Sequence, residues 1–216
     1  MNTFEHVCTA LESAHKITYP FPYFYAENIF PVDFYEKLRK YAEEKEDFVD
    51  QRFGNRRIAM GTGTFDDLEF MNQKEFLLRM LQMFPYDCQA RFGGQSIQFV
   101  PDVRFIRDAQ NYKIGPHTDS TSKILSLLFY LPETDEYRDY GTAVFVPKDA
   151  NFTCSGGPHY PFDGFTEIWR APFLPNSCFG FWKTANSFHG VPPIPIEIKR
   201  NLLLYNIYDA ALFKVA

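Results

Sequence analysis

Gly115-Pro-His117-Thr-Asp119 sets an imidazole and a carboxylate two positions apart. On a strand or at its edge, that spacing points both side chains to one face, where they can chelate one metal ion. Alone the pair is a weak signal, because it reads equally well as a surface turn in which Asp119 caps a neighbouring backbone. A second imidazole, His189 in Ser187-Phe-His-Gly-Val-Pro-Pro193, follows a strongly β run. It lies far enough along the chain for a sheet to return beside the first strand, and by itself it reads as a core histidine with both nitrogens satisfied. The third feature is Lys199-Arg200, which opens the apolar run Asn201-Leu-Leu-Leu-Tyr-Asn-Ile-Tyr208. A guanidinium buried in such a strand needs an anionic partner, and its planar fork fits a carboxylate at two points; at a strand end it can also point to solvent. The order His-x-Asp, distal His, then Arg favours a centre of two histidines and one carboxylate. On iron, that ligand set leaves positions open for oxygen and a co-substrate.

Over about Val103 to Tyr208 this order resembles the Fe(II)/2-oxoglutarate-dependent oxygenases, most closely their prolyl-hydroxylase-like branch and its bacterial members. His189-Gly-Val-Pro-Pro193 is similar to the family's His-x-Val-x-Pro after the distal ligand. Phe129-Tyr-Leu131 is similar to its Tyr-Tyr-Leu strand, and Gly141-Thr-Ala-Val-Phe145 to its Gly-Gly-x-x-x-Phe strand. The resemblance implies a double-stranded β-helix (a jelly-roll, cupin-like core) in which His117, Asp119 and His189 hold Fe(II). It implies that Arg200 and Tyr130 bind the distal carboxylate of 2-oxoglutarate. Tyr112, in Tyr-x-x-Gly-x-His-x-Asp, is either a contact to co-substrate or substrate, or an aromatic packer at a strand edge. The implied reaction couples oxidative decarboxylation of 2-oxoglutarate by O2, giving succinate and CO2, to hydroxylation of an unactivated C–H bond. Related halogenases carry a small residue where Asp119 stands, so Asp119 implies hydroxylation, or a desaturation or cyclisation variant, over halogenation. Two departures mark the chain: the His-to-Arg gap is slightly longer than in prolyl hydroxylases, and Leu202-Leu203-Leu204 replaces the family's Thr after the Arg.

The elements that must position these residues follow from patterning. Up to about residue 95 the chain reads as helical support. Phe4, Val7 and Leu11 recur at helical spacing, a second helix opens at Pro31 with Phe34, Leu38 and Tyr41 on one face, and a third covers about Gln73 to Phe84. Tyr19-Pro-Phe-Pro-Tyr-Phe-Tyr25 reads as an extended connector. From residue 96 onward the period is two. Short β runs at Ile97–Phe105, Ile124–Leu131, Gly141–Pro147, Cys178–Trp182, Ser187–Val191 and Leu202–Tyr208 are separated by turn residues, as in a sandwich or jelly roll. A long segment, 148–176, reads as a functional loop such as a lid, or as a surface for pairing two copies in a homodimer. The expectation is one oxygenase domain over 1–216, mainly β with N-terminal helices.

Composition agrees with a globular protein. Of 216 residues, 45% are hydrophobic and 23% charged, and the aromatic share of 18% stands out, with 24 Phe and 13 Tyr. A net charge of -5 argues against a nucleic-acid partner and against an anionic membrane surface. The longest apolar stretch, Ile124–Leu131, is too short to span a bilayer. Four scattered cysteines and no signal-like N-terminus suggest reduced thiols in the cytoplasm. Weaker candidates are Cys154 with His159 as a nucleophile pair, Arg52, Arg56 and Arg57 as a carboxylate-binding cluster, and Phe181 and Trp182 as site lining, which read better as core. The substrate expected is a small molecule such as an amino acid or a natural-product intermediate. The alternatives are a peptidyl or protein hydroxylase and a non-catalytic jelly-roll module binding a metal or ligand.

Overall fold

The computed structural model describes residues 1–46, 49–50, 57–61, 65–93 and 97–212. The Arg52, Arg56 and Arg57 cluster, a weaker candidate for carboxylate binding, falls largely outside them: Arg52 and Arg56 are not among the described residues.

Among the described residues, four α-helices come from the N-terminal half. α1 (Thr3–Glu12) is capped by the Asn2 side chain, which accepts the Glu5 N–H at 2.8 Å. α2 (Val32–Glu44) starts just after Pro31, and it turns Tyr35, Leu38 and Ala42 inward; Phe34 and Tyr41, expected on that face, are only partly buried at its edges. α3 (Lys74–Gln82) buries Phe76, Leu77, Met80 and Leu81 as its spacing predicts. The sequence reading ran this helix on to Phe84, but the chain breaks there and restarts as α4 (Pro85–Phe92). Pro85 is suited to a first helical turn and cannot donate inside a longer helix.

Twelve strands follow in chain order: β1 (Lys16–Ile17), β2 (Tyr23–Glu27), β3 (Val49–Asp50), β4 (Arg57–Gly61), β5 (Phe99–Asp108), β6 (Ile114–His117), β7 (Lys123–Tyr130), β8 (Ala143–Pro147), β9 (Phe165–Arg170), β10 (Ser177–Trp182), β11 (His189–Val191) and β12 (Arg200–Asp209). They form an eight-stranded sheet, β1-β2-β10-β7-β12-β5-β4-β3, and a four-stranded sheet, β6-β11-β8-β9. Neighbours are antiparallel throughout. The chain from β5 to β12 crosses between the sheets in jelly-roll order, which is the double-stranded β-helix expected. The connector around Tyr19–Tyr25 is half strand: Tyr23–Glu27 extends the large sheet beside β10.

Period-two alternation sorts the large sheet into two faces. One face carries Phe105, Leu127, Phe129, Leu203 and Tyr205 against the helices. The other carries Ile106, Leu128, Tyr130, Leu202 and Phe179 against Val144 and Val191 of the small sheet. A third cluster joins Phe145 and Phe188 to Phe152, Tyr160 and Phe165, so much of the 148–176 segment is packed on the small sheet and ends in β9. The segment is thus a satellite core with its own strand, which corrects the structureless loop expected from its Gly and Pro content.

Candidate metal centre

Pairing of β6 with β11 sets His117 directly opposite His189. The two rings lie 4.3 Å apart between centroids. Each Nδ1 is 2.9 Å from the carbonyl oxygen two residues earlier, Gly115 for His117 and Ser187 for His189. A carbonyl only accepts, so this contact holds the proton on Nδ1 and turns the Nε2 lone pair inward. Asp119 follows β6 after one residue, in the left-handed region at φ 66°, which Asp tolerates better than most residues. That turn folds its carboxylate back between the rings. His117 Nε2 lies 3.6 Å from Asp119 Oδ1, and His189 Nε2 lies 3.6 Å from Oδ2. One ligand atom from each of the three residues falls within 4.8 Å of the others.

The fit to a metal rests on one atom. Asp119 Oδ2 is buried and has no hydrogen-bond partner, whereas Oδ1 accepts from Lys123 Nζ at 3.1 Å. A buried carboxylate oxygen without a partner is costly, and a divalent cation beside two imidazole lone pairs would complete it. Burial pushes the Asp119 pKa up, but Lys123 and the two histidines outweigh it, and the group stays ionised well below the usual carboxylate range. Burial also works against charge on Lys123, and the Asp119 carboxylate more than restores it. His189 is driven the other way: burial, then the neighbouring His117, lower its pKa to about 3. His189 is therefore held neutral and Asp119 ionised, the states a metal requires of an imidazole and a carboxylate ligand.

That asymmetry sets a pH dependence for the metal-free protein. Unfolded, His189 takes up a proton below about pH 6.5; folded, it refuses one until about pH 3. Between those values the unfolded chain binds the extra proton, so stability is full above pH 6.5 and falls as the pH drops. Asp119, depressed in the fold, adds loss in the same direction at lower pH. Chemical denaturation of the metal-free protein between pH 7 and 5 should show this decline, and His189→Gln should flatten it.

Gly156 secures the turn from outside. Its φ is 143°, and a Cβ there would stand 2.5 Å from the Asp119 carbonyl oxygen. Gly156→Ala therefore faces both a disfavoured backbone, costing on the order of 1–3 kcal/mol, and a collision that displaces Asp119. A fall in thermal midpoint together with weaker metal binding is the expected result.

Two cavities meet at the ligands: His117 and Asp119 line both, and His189 lines the inner one. The inner one, about 70 Å³, runs between the sheets past Ser126, Leu128, Thr142, Phe181, Val191 and Leu204. The outer one, about 290 Å³, is bounded by Asp102 and Arg104 of β5, Asn206 and Tyr208 of β12, Ser120, and Gly157 and His159 of the long segment. Tyr112, 1% exposed, also lines the outer cavity, so it stands beside the ligands and in the core at once. A larger groove of about 670 Å³ between Arg39, Glu133 and Lys199 contains none of the ligands. Phe181, expected in the core, puts its ring 4.3 Å from His189; Trp182, next along β10, faces the helices against Phe84 and Phe92. Cys154 and His159 form no nucleophile pair. The thiol takes the Tyr160 hydroxyl at 3.4 Å, and the His159 ring lies 4.6 Å from that of His117.

Arg200 points inward as expected, but to a different anion. Its Nη1 donates to Asp108 Oδ2 at 2.5 Å, Nε to the Tyr140 carbonyl at 2.8 Å, and Nη2 to Thr142 Oγ1 at 3.3 Å. Register is the cause: Asp108 stands directly opposite Arg200 across β5 and β12. Tyr130 packs its ring 5.5 Å from the guanidinium, and its hydroxyl accepts the Thr142 N–H at 3.0 Å. Sequence reasoning missed Asp108 and Lys123. The signals were a carboxylate ending one apolar strand and an ammonium opening another.

No protein-family model matches the chain, and no curated protein matches it. Solved structures do. The non-haem alpha-ketoglutarate-dependent epimerase SnoN from nogalamycin biosynthesis is 12% identical, with 96% of this chain and 83% of that one covered at a TM-score of 0.57. A Pseudomonas putida prolyl-4-hydroxylase is 13% identical over 95% of this chain and 98% of its own, also at 0.57. A prolyl hydroxylase from Trichoplax adhaerens is 13% identical over 96% and 90%, at 0.55. At such identities the likeness is one of fold: the chain has the double-stranded β-helix of these enzymes.

Proposed function

We propose that this chain is an Fe(II)/2-oxoglutarate-dependent oxygenase that hydroxylates a small molecule, with His117, Asp119 and His189 as the metal ligands. The observation that carries the reading is the buried, partnerless Asp119 Oδ2 facing two imidazoles whose Nδ1 atoms are pinned to backbone carbonyls. Bound iron would supply the activation of O2 by oxidative decarboxylation of 2-oxoglutarate. The chain's own residues do the rest. Lys123 holds Asp119 Oδ1 and leaves Oδ2 to the metal, and Phe181 packs against the ring of His189.

The outer cavity supports a small substrate. Its 290 Å³ lies at the low end of the roughly 300–1,000 Å³ usual for ligand pockets, and charged and hydroxyl groups line it. Two structural neighbours were solved with small molecules, SnoN with nogalamycin RO and HygX with hygromycin B, and the Trichoplax enzyme with a peptide. A walled cavity suits the first kind better than a peptide groove. Asp119 favours hydroxylation over halogenation, although SnoN, an epimerase, is a reminder that the same fold serves other outcomes. All four cysteines are free, which supports a cytoplasmic location where thiols stay reduced. The test is succinate release from 2-oxoglutarate across a panel of amino acids, sugars and short peptides. Stimulation by polar small molecules supports the proposal, and stimulation by peptides alone would replace it with the peptidyl reading.

A further inference from the structure

We infer that Asp108 is a specificity-determining residue: by engaging Arg200, it leaves the inner cavity to read the tail of a 2-oxo acid by shape and hydroxyl groups rather than by charge. The inference rests on the reading of the site as an iron centre that takes a 2-oxo acid. The family resemblance implies that Arg200 takes the acid's distal carboxylate, yet the guanidinium is fully buried and does not line the cavity. All three of its nitrogens donate to protein acceptors, and the Tyr130 and Phe173 rings lie 5.5 and 5.3 Å from its centre. Asp108, also fully buried, stands directly opposite Arg200 in the β5–β12 ladder. A second carboxylate brought to this guanidinium would stand beside the first in a dry interior, where like charges repel strongly.

What the cavity itself offers the tail is Leu128, Val191 and Leu204 with two uncharged hydroxyls, Ser126, which donates to Asn206 Oδ1, and Thr142, which accepts from Arg200. Its cation is Lys123, at the opposite, metal end and bound to Asp119. Leu204 makes the same point from sequence, because it lies within the leucine run that replaces the threonine of prolyl hydroxylases beyond the Arg. Charge is thus concentrated where the acid meets the metal, and the tail end is uncharged.

The test is anaerobic titration of the Fe(II)-loaded full chain with 2-oxoglutarate and with 2-oxovalerate, which has the same five carbons and no distal carboxylate. The readout is the visible charge-transfer band of the complex, so no turnover is needed. Wild type should bind the two acids within about tenfold of each other, the ratio one charge-assisted hydrogen bond would exceed. Asp108→Asn, which frees the guanidinium, should tighten 2-oxoglutarate by about tenfold or more and leave 2-oxovalerate unmoved. A wild-type preference for 2-oxoglutarate beyond tenfold overturns the inference, as does an Asn variant that binds the diacid no better. Should the variant fail to fold, the wild-type ratio alone decides. A band with neither acid, in protein shown to hold iron, overturns the functional reading and the inference with it.

Discussion

Asp119→Asn should leave the protein folded and cost it more than about 100-fold in Fe(II) affinity. Asn is nearly isosteric, accepts the left-handed φ of 66°, and keeps an oxygen for Lys123. What it removes is the negative charge and the free oxygen that faces both imidazoles. Losing an outer-shell partner typically costs about 10–100-fold in metal affinity, and losing a ligand should exceed that. Metal titration monitored by calorimetry, with circular dichroism as the check on folding, measures both halves. The same substitution distinguishes a metal site from a turn in which Asp119 merely caps the backbone, because a cap would survive as Asn with no change in metal binding.

Arg200→Met should destabilise the metal-free protein by about 3–5 kcal/mol, the usual cost of stripping one partner from a buried ion pair. Both members of the pair are fully buried, and Asp108 would lose the Nη1 hydrogen bond at 2.5 Å. Replacing both, as Arg200→Met with Asp108→Leu, should recover most of that loss, because two apolar side chains of similar volume leave no charge behind. Urea denaturation of the wild type and the two variants checks this. A residue present only to hold a co-substrate would leave the stability of the metal-free protein untouched, so the size of the single-variant effect reports on how far Arg200 is structural.

The β-core was legible because its strands announce themselves by alternation and β-branched or aromatic content: β7, β10 and β12 fall within a residue or two of the expected runs. The clustering of His117, Asp119 and His189 was legible for a different reason. The His-x-Asp pair is local, so the turn at Asp119 needs no knowledge of the fold, and only His189 had to be brought in by a returning strand. Three features were not legible. The Arg200–Asp108 pair depends on the register of β5 against β12, and a one-residue slip would have parted them; no local pattern carries that information. The six-residue strand Phe165–Arg170 is half-exposed on an edge and reads as loop among its glycines and prolines. The inward facing of α2 differs by one residue from expectation because Tyr35 and Ala42, polar-tipped and small respectively, share the apolar stripe with Leu38.

The most direct test of the central claim is anaerobic addition of Fe(II) and 2-oxoglutarate to the wild-type protein and to His117→Ala. The account predicts a visible charge-transfer band in the wild type, saturating at one iron per chain, and none in the variant. A folded wild-type protein that retains no iron and gives no band would contradict it, and would make the cluster of His117, Asp119 and His189 a feature of a non-catalytic jelly roll.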